Sequence, residues 1–120
     1  MKFELSATVL DSPDAQELAG FYNRLLGWQF KCNEPDWVML RAPSGAGLSF
    51  QTEENYVRPV WPAGPGDPQM MLHLDIYVDD LEAACAHATE QGAVMAEFQP
   101  QDHVRVFLDP AGHPFCLFDD

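Results

Sequence analysis

Basic residues are scarce in this chain. Of its 120 residues, six are Lys or Arg and nineteen are Asp or Glu, for a formal charge of −13. Such a chain is repelled by nucleic acid and by anionic membrane surfaces, so neither is an expected partner. The bland meaning of the charge is solubility; the sharper one is a field that attracts cationic ligands. Long apolar runs are also missing. No stretch approaches the roughly 20 residues that cross a bilayer, and Met1-Lys2-Phe3-Glu4-Leu5 has neither a basic cluster nor a long apolar segment, so no signal peptide is expected. Cysteine is limited to Cys32, Cys85 and Cys116. An odd number without a secretory signal fits free thiols and not a disulfide framework, and a cytoplasmic protein is the expectation.

What is present is an ordinary globular composition, 47% apolar, in a chain long enough for one domain with a real core. Glu4 to Leu10 reads as a strand. Asp11-Ser12-Pro13-Asp14 is a turn and helix-start signal. Leu18, Phe21, Tyr22, Leu25 and Leu26 recur at helical spacing, and Gly27 stops that helix. Trp28 to Lys31, Trp37 to Arg41 and Leu48 to Gln51 read as three short strands. The pattern then repeats. Met70 to Val78 is a strand, and Asp79-Asp80 starts a helix whose stripe is Leu81, Ala84, Cys85 and Ala88, with Gly92 at its end. Ala93 to Phe98, Val104 to Leu108 and Phe115 to Phe118 complete the second set.

The two halves superimpose by number. Asp14 falls on Asp80 at an offset of 66, Gly27 on Gly92 at 65, and Pro43-Ser44-Gly45 on Pro110-Ala111-Gly112 at 67. An internal match with the same element order points to a duplicated supersecondary unit. The reading is α+β: a βαβββ module over residues 1–52, a connector over 53–69, and a second βαβββ module over 70–120, forming a curved eight-stranded mixed sheet around a cavity. The connector carries Pro59, Pro62, Pro65 and Pro68 around Trp61, a density that excludes regular structure.

Three segments carry a family resemblance. Phe21-Tyr22-Asn23-Arg24-Leu25-Leu26-Gly27 is similar to the first-helix signature of the vicinal oxygen chelate superfamily, the group of glyoxalases, bleomycin-resistance proteins and extradiol dioxygenases. His73-Leu74-Asp75-Ile76-Tyr77-Val78-Asp79-Asp80-Leu81 resembles its fifth strand running into the second helix. Asp109-Pro110-Ala111-Gly112 with Phe115-Cys116-Leu117-Phe118 resembles its last turn and strand. The connector and the ending resemble the glyoxalase-like subgroup.

The resemblance implies a divalent metal (Zn, Ni, Mn or Fe) held by one residue from the first and last strand of each module, with substrate oxygens chelating open positions. The implied positions are Ala7, Ser49, His73 and Cys116. Only His73 and Cys116 are ordinary protein ligands, whereas catalytic zinc commonly has three. Gln51 shares a strand face with Ser49, and Asp75 shares one with His73, but neither stands at a family ligand position.

Three functions follow as expectations. The first is a metal-free small-molecule-binding domain, its ligand cationic or aromatic, with Ser49, Gln51, Trp61, His73 and Cys116 as contact residues and no firm cofactor. An alternative form of it is a bleomycin-type antibiotic-binding resistance protein, since the resemblance implies that such relatives tend to be acidic dimers that bind a cationic drug. The second is a metal-dependent lyase, isomerase or dioxygenase using His73. The third is acid–base catalysis by His73 and Asp75. These lie about 6–7 Å apart along one strand face, a spacing that suits gripping a substrate between them better than a direct hydrogen bond. Cys85 on the helix stripe is expected in the core. A homodimer is expected, because open sheets leave edges and apolar surface to cover.

Overall fold

The computed structural model describes residues 1–120. The chain divides into two compact units, Met1–Tyr56 and Val57–Asp120. Each contains one four-stranded sheet and one helix, as the duplication requires.

In the first unit, β1 (Ala7–Ser12) runs into α1 (Ala15–Leu26), followed by β2 (Gln29–Glu34), β3 (Trp37–Arg41) and β4 (Gly47–Thr52). The strand order is β1-β4-β3-β2, with β1 parallel to β4 and the other pairs antiparallel. The helix begins where the sequence signals it. Asp14 accepts hydrogen bonds from the N–H groups of Gln16 and Glu17 at 3.1 and 3.2 Å. Gly27, at φ 72°, closes the helix with its N–H on the Asn23 carbonyl. The first free N–H of the helix, that of Ala15, donates to Thr52 Oγ1 at 3.0 Å and so ties α1 to the end of β4.

The apolar face of α1 is buried over its first two turns, whereas Leu25 and Leu26 stay half-exposed. Ala15, Leu18, Ala19, Phe21 and Tyr22 are buried against Leu10, Val38, Leu40, Leu48 and Phe50. Tyr22 meets Phe21 edge-on at 4.9 Å and stacks on Phe50 at 5.7 Å. The Phe-Tyr pair of the helix signature is therefore core.

In the second unit, β5 (Leu74–Tyr77) precedes α2 (Leu81–Gln91), then β6 (Val94–Met95), β7 (Val104–Leu108) and β8 (Pro114–Phe118). The order β5-β8-β7-β6 reproduces the first sheet, with β5 parallel to β8. Asp80 caps α2 through the Ala83 N–H at 3.0 Å, and Gly92 ends it at φ 116°. Phe107 and Phe115 stack at 5.7 Å in the core.

Three expectations need correction here. The strand expected over 70–78 is only Leu74–Tyr77. The β8 residue that falls opposite His73 is Pro114, which has no N–H to extend the ladder. The strand expected over 93–98 shrinks to two residues because a side chain takes over its pairing. The Gln99 amide donates to the Val106 carbonyl at 2.9 Å and accepts from the Val106 N–H at 2.9 Å. The α2 stripe is also not core: only Ala88 is buried, and Leu81 and Cys85 stay half-exposed. Its side chains are too short to fill the space over the sheet. A groove of about 610 Å³ remains, lined by Leu81, Cys85, Met95 and Arg105 with acidic neighbours.

The connector has no helix or strand, as its prolines dictate, but it is held by hydrogen bonds. The Val60 N–H reaches the Pro68 carbonyl at 2.8 Å, and Arg58 Nη1 donates to the Pro110 carbonyl at 2.9 Å.

Candidate functional site

The last strand of the second unit fixes the site. Along β8, Phe115 and Leu117 are buried toward the core, so Cys116 between them points to the other face and is half-exposed. The parallel register with β5 sets Asp75 directly opposite Cys116. His73, just before β5, lies two residues from Asp75 and shares its face. Its Nε2 is 3.1 Å from Asp75 Oδ1. One donor atom from each of His73, Asp75 and Cys116 lies within 4.8 Å of the others.

Two expectations are overturned by that geometry. A direct His73–Asp75 contact exists although their backbones are spaced as strand neighbours. The imidazole closes the gap by its own length, and His73 is outside β5, so the pleat does not hold it upright. Asp75 also stands where a third donor would, because the β5–β8 register pairs it with Cys116. No spacing within one strand could have announced that cross-strand partner.

The cluster has a defined electrostatic order. The Cys116 thiol is pushed above its ordinary value by burial first, then by the Asp75 charge, then by its hydrogen bond to the Asp75 carboxylate. Asp75 is therefore the hub, facing a neutral thiol on one side and an imidazole on the other.

The positions implied in the first unit have other surroundings. Ala7 sits in β1 opposite Gly47, and Ser49 is buried between Val9 and Met39 in the sheet. Neither Ala7 nor a neutral serine hydroxyl supplies the charge or basicity that the family's four-position metal site needs, so that site does not fit this chain. Gln51 is exposed, and its amide is engaged with Asp11 Oδ1 at 2.8 Å. Ser49 and Ala7 instead line a cavity of about 310 Å³ with Ser6, Lys31, Met39 and Arg41. Sequence reasoning gave Lys31 and Arg41 no role; the scarcity of cations was the signal that could have drawn attention to them.

Trp61 does not stand free. It is half-buried and lies on Phe98 at 5.8 Å with the ring planes 34° apart. Cys85 is not core, for the reason given above. Burial still raises its thiol, with Arg105 opposing. All three cysteines are unpaired.

Comparison with known proteins agrees with the topology. Residues 7–118 match the model of the glyoxalase-like domain family. The chain belongs to that family. It has the fold of a glyoxalase/bleomycin resistance protein/dioxygenase family enzyme from Burkholderia phytofirmans PsJN, at 17% identity and a TM-score of 0.75, with 98% of each chain covered. A glyoxalase family protein from Enterococcus faecalis gives 22% identity and a TM-score of 0.71 over 97% of each chain. A fosfomycin resistance protein from Mesorhizobium loti gives 13% and 0.72 over 100% of this chain and 94% of that one. At these identities the likeness is one of fold. No curated protein matches the sequence.

Proposed function

We propose that this glyoxalase-like domain binds a small molecule on the open face of the second module, with His73, Asp75 and Cys116 as its polar centre. The observation that supports this reading is the three-residue cluster on the sheet face turned away from α2, bordered by Tyr77 and Phe118, whose rings meet edge-on at 5.8 Å. A few convergent polar groups beside aromatic surface are what a ligand site requires. Asp75 favours a cationic group, and the exposed Tyr77 ring favours an aromatic one. The test is a thermal-shift and ligand-detected NMR screen with a panel of cationic and aromatic small molecules. A hit whose binding is lost in Asp75→Ala and His73→Ala supports the site; hits unaffected by both changes overturn it.

The donor chemistry favours a second reading. Imidazole, carboxylate and thiol are a zinc-type trio with room for a fourth ligand. The residues that would hold zinc are His73, Asp75 and Cys116, all from one module, and a bound ion would supply Lewis acidity there. Metal analysis of the untagged protein decides it: one zinc per chain, lost in His73→Ala, supports this reading, and zinc retained in that variant sinks it.

The protein acts, in this proposal, in the cytoplasm, where three free thiols persist, and as a homodimer that covers exposed apolar side chains such as Met71 and Val94. A monomeric mass by light scattering at micromolar concentration contradicts the dimer.

A further inference from the structure

The first module has a cavity whose charge is opposite to that of the chain. Of six basic residues, Lys2 is paired with Glu4 at 3.0 Å. Arg58 is spent on the Pro110 carbonyl, and Arg105 donates to the carbonyls of Gln101 and Val104. Arg24 lies along its own helix near Gly20. The remaining two, Lys31 and Arg41, form no ion pair with any of the nineteen acidic side chains. Both line the same cavity of about 310 Å³.

The sheet builds this convergence. Met39 and Arg41 share one face of β3, and Ser49 joins that face as the partner of Met39 on β4. The β2–β3 register shifts between Phe30 and Cys32, which leaves Lys31 at a bulge. Bulges re-aim a side chain, and here the bulged residue is a cavity lining residue beside Arg41. The turn between β3 and β4 comes close to the same place. A Cβ on Gly47 would lie 2.4 Å from the Leu40 carbonyl oxygen, so only glycine allows that approach. Ser6 and Ser49 also line the cavity, Ser49 from a buried position.

We propose that Lys31 and Arg41 form an oxyanion subsite for the phosphate, phosphonate or carboxylate group of a small molecule. The arginine offers a planar fork that matches two oxygens at once, and the lysine adds a point charge. The volume suits one such group with its immediate attachment. An acidic chain repels anions in general, so two unpaired cations on one cavity select where an anion can settle. The residues of this subsite all belong to the first module, and its failure would leave the reading of the second module standing.

The experiment is an amide-resolved NMR titration of the full chain with inorganic phosphate and, in a second arm, succinate, against chloride at matched ionic strength. Saturable shifts over residues 6–7, 31 and 39–49 are expected with at least one of the two anions. They should weaken about tenfold in Lys31→Ala or Arg41→Ala. Arg41→Lys, which keeps the charge and loses the fork, should weaken whichever anion binds. Tighter phosphate points to a phosphoryl or phosphonyl ligand, and tighter succinate to a carboxylate. No saturable shift with either anion, or shifts that survive in both alanine variants with unchanged circular dichroism, overturns the subsite.

Discussion

The two modules follow the same chain path and differ in what they do with each face of the sheet. On the helix side, α1 buries five residues and α2 buries one. On the open side the contrast reverses. At matching register pairs the first module has Val9 opposite Ser49 and Asp11 opposite Gln51, while the second has Asp75 opposite Cys116 and Tyr77 opposite Phe118. Ala7 in the first corresponds to His73 in the second. Duplication has left one copy with the larger packed interface and the other with the His–Asp–Cys chemistry. The packing contrast lies on the helix face and the polar contrast on the open face, so each copy of the scaffold carries its own combination of the two.

The largest effect should come from breaking the packed copy. Phe21→Ala removes a ring with no exposure that touches Tyr22, and should cost about 3–5 kcal/mol in urea unfolding. Leu81→Ala in α2, half-exposed beside the groove, should cost about 1 kcal/mol. Equal losses would break the contrast between the helices.

The matched turns sharpen it next. Gly45 and Gly112 both have positive φ, 75° and 89°. A Cβ on Gly45 meets nothing within 4 Å, whereas one on Gly112 would lie 2.6 Å from Arg58 Cγ. Gly45→Ala should cost about 1–2 kcal/mol, the strain of the backbone alone. Gly112→Ala should cost more, and adding Arg58→Ala should bring it back toward the Gly45 value. Thermal unfolding of the three variants checks this, and no relief from Arg58→Ala would remove the clash as the cause.

Helix starts should differ less. Asp14 accepts from two N–H groups and Asp80 from one. Asp14→Ala should therefore cost about 1 kcal/mol and Asp80→Ala somewhat less, measured by denaturant midpoint.

The order of elements was legible because each depends on local chemistry. Asp14, Gly27, Asp80 and Gly92 cap helices through their own neighbours, and the offsets between halves preserve those caps. Strand lengths were less legible, since Gln99 and Pro114 end ladders through partners distant in sequence. The same holds for the site. His73 and Cys116 could be named from their place in recognisable motifs, but the role of Asp75 as hub needs the β5–β8 register, and the pairing of Lys31 with Arg41 needs a bulge. The α2 stripe misled because periodicity reports which side chains share a face and not whether they are long enough to fill the space beneath it.

The finest test of the contrast is to give the second module the residue that the first one has. Asp75→Val copies Val9 into the cluster. The Asp75 charge and its hydrogen bond both hold Cys116 protonated, and burial does so independently. Removing Asp75 should lower the thiol toward its ordinary range, though not fully, because burial remains the larger cause. Intact-protein mass spectrometry after iodoacetamide at mildly alkaline pH should then show faster alkylation of Cys116 in the variant, with Cys85 unchanged. The linkage has a matching sign. A thiol raised in the folded state contributes stability that is complete below the unfolded thiol value and is lost as pH rises through the folded value. Wild type should accordingly lose stability at alkaline pH more steeply than Asp75→Val. Unchanged alkylation and an unchanged alkaline slope would mean that Asp75 does not act on Cys116, and that the open faces of the two modules differ in composition without differing in chemistry.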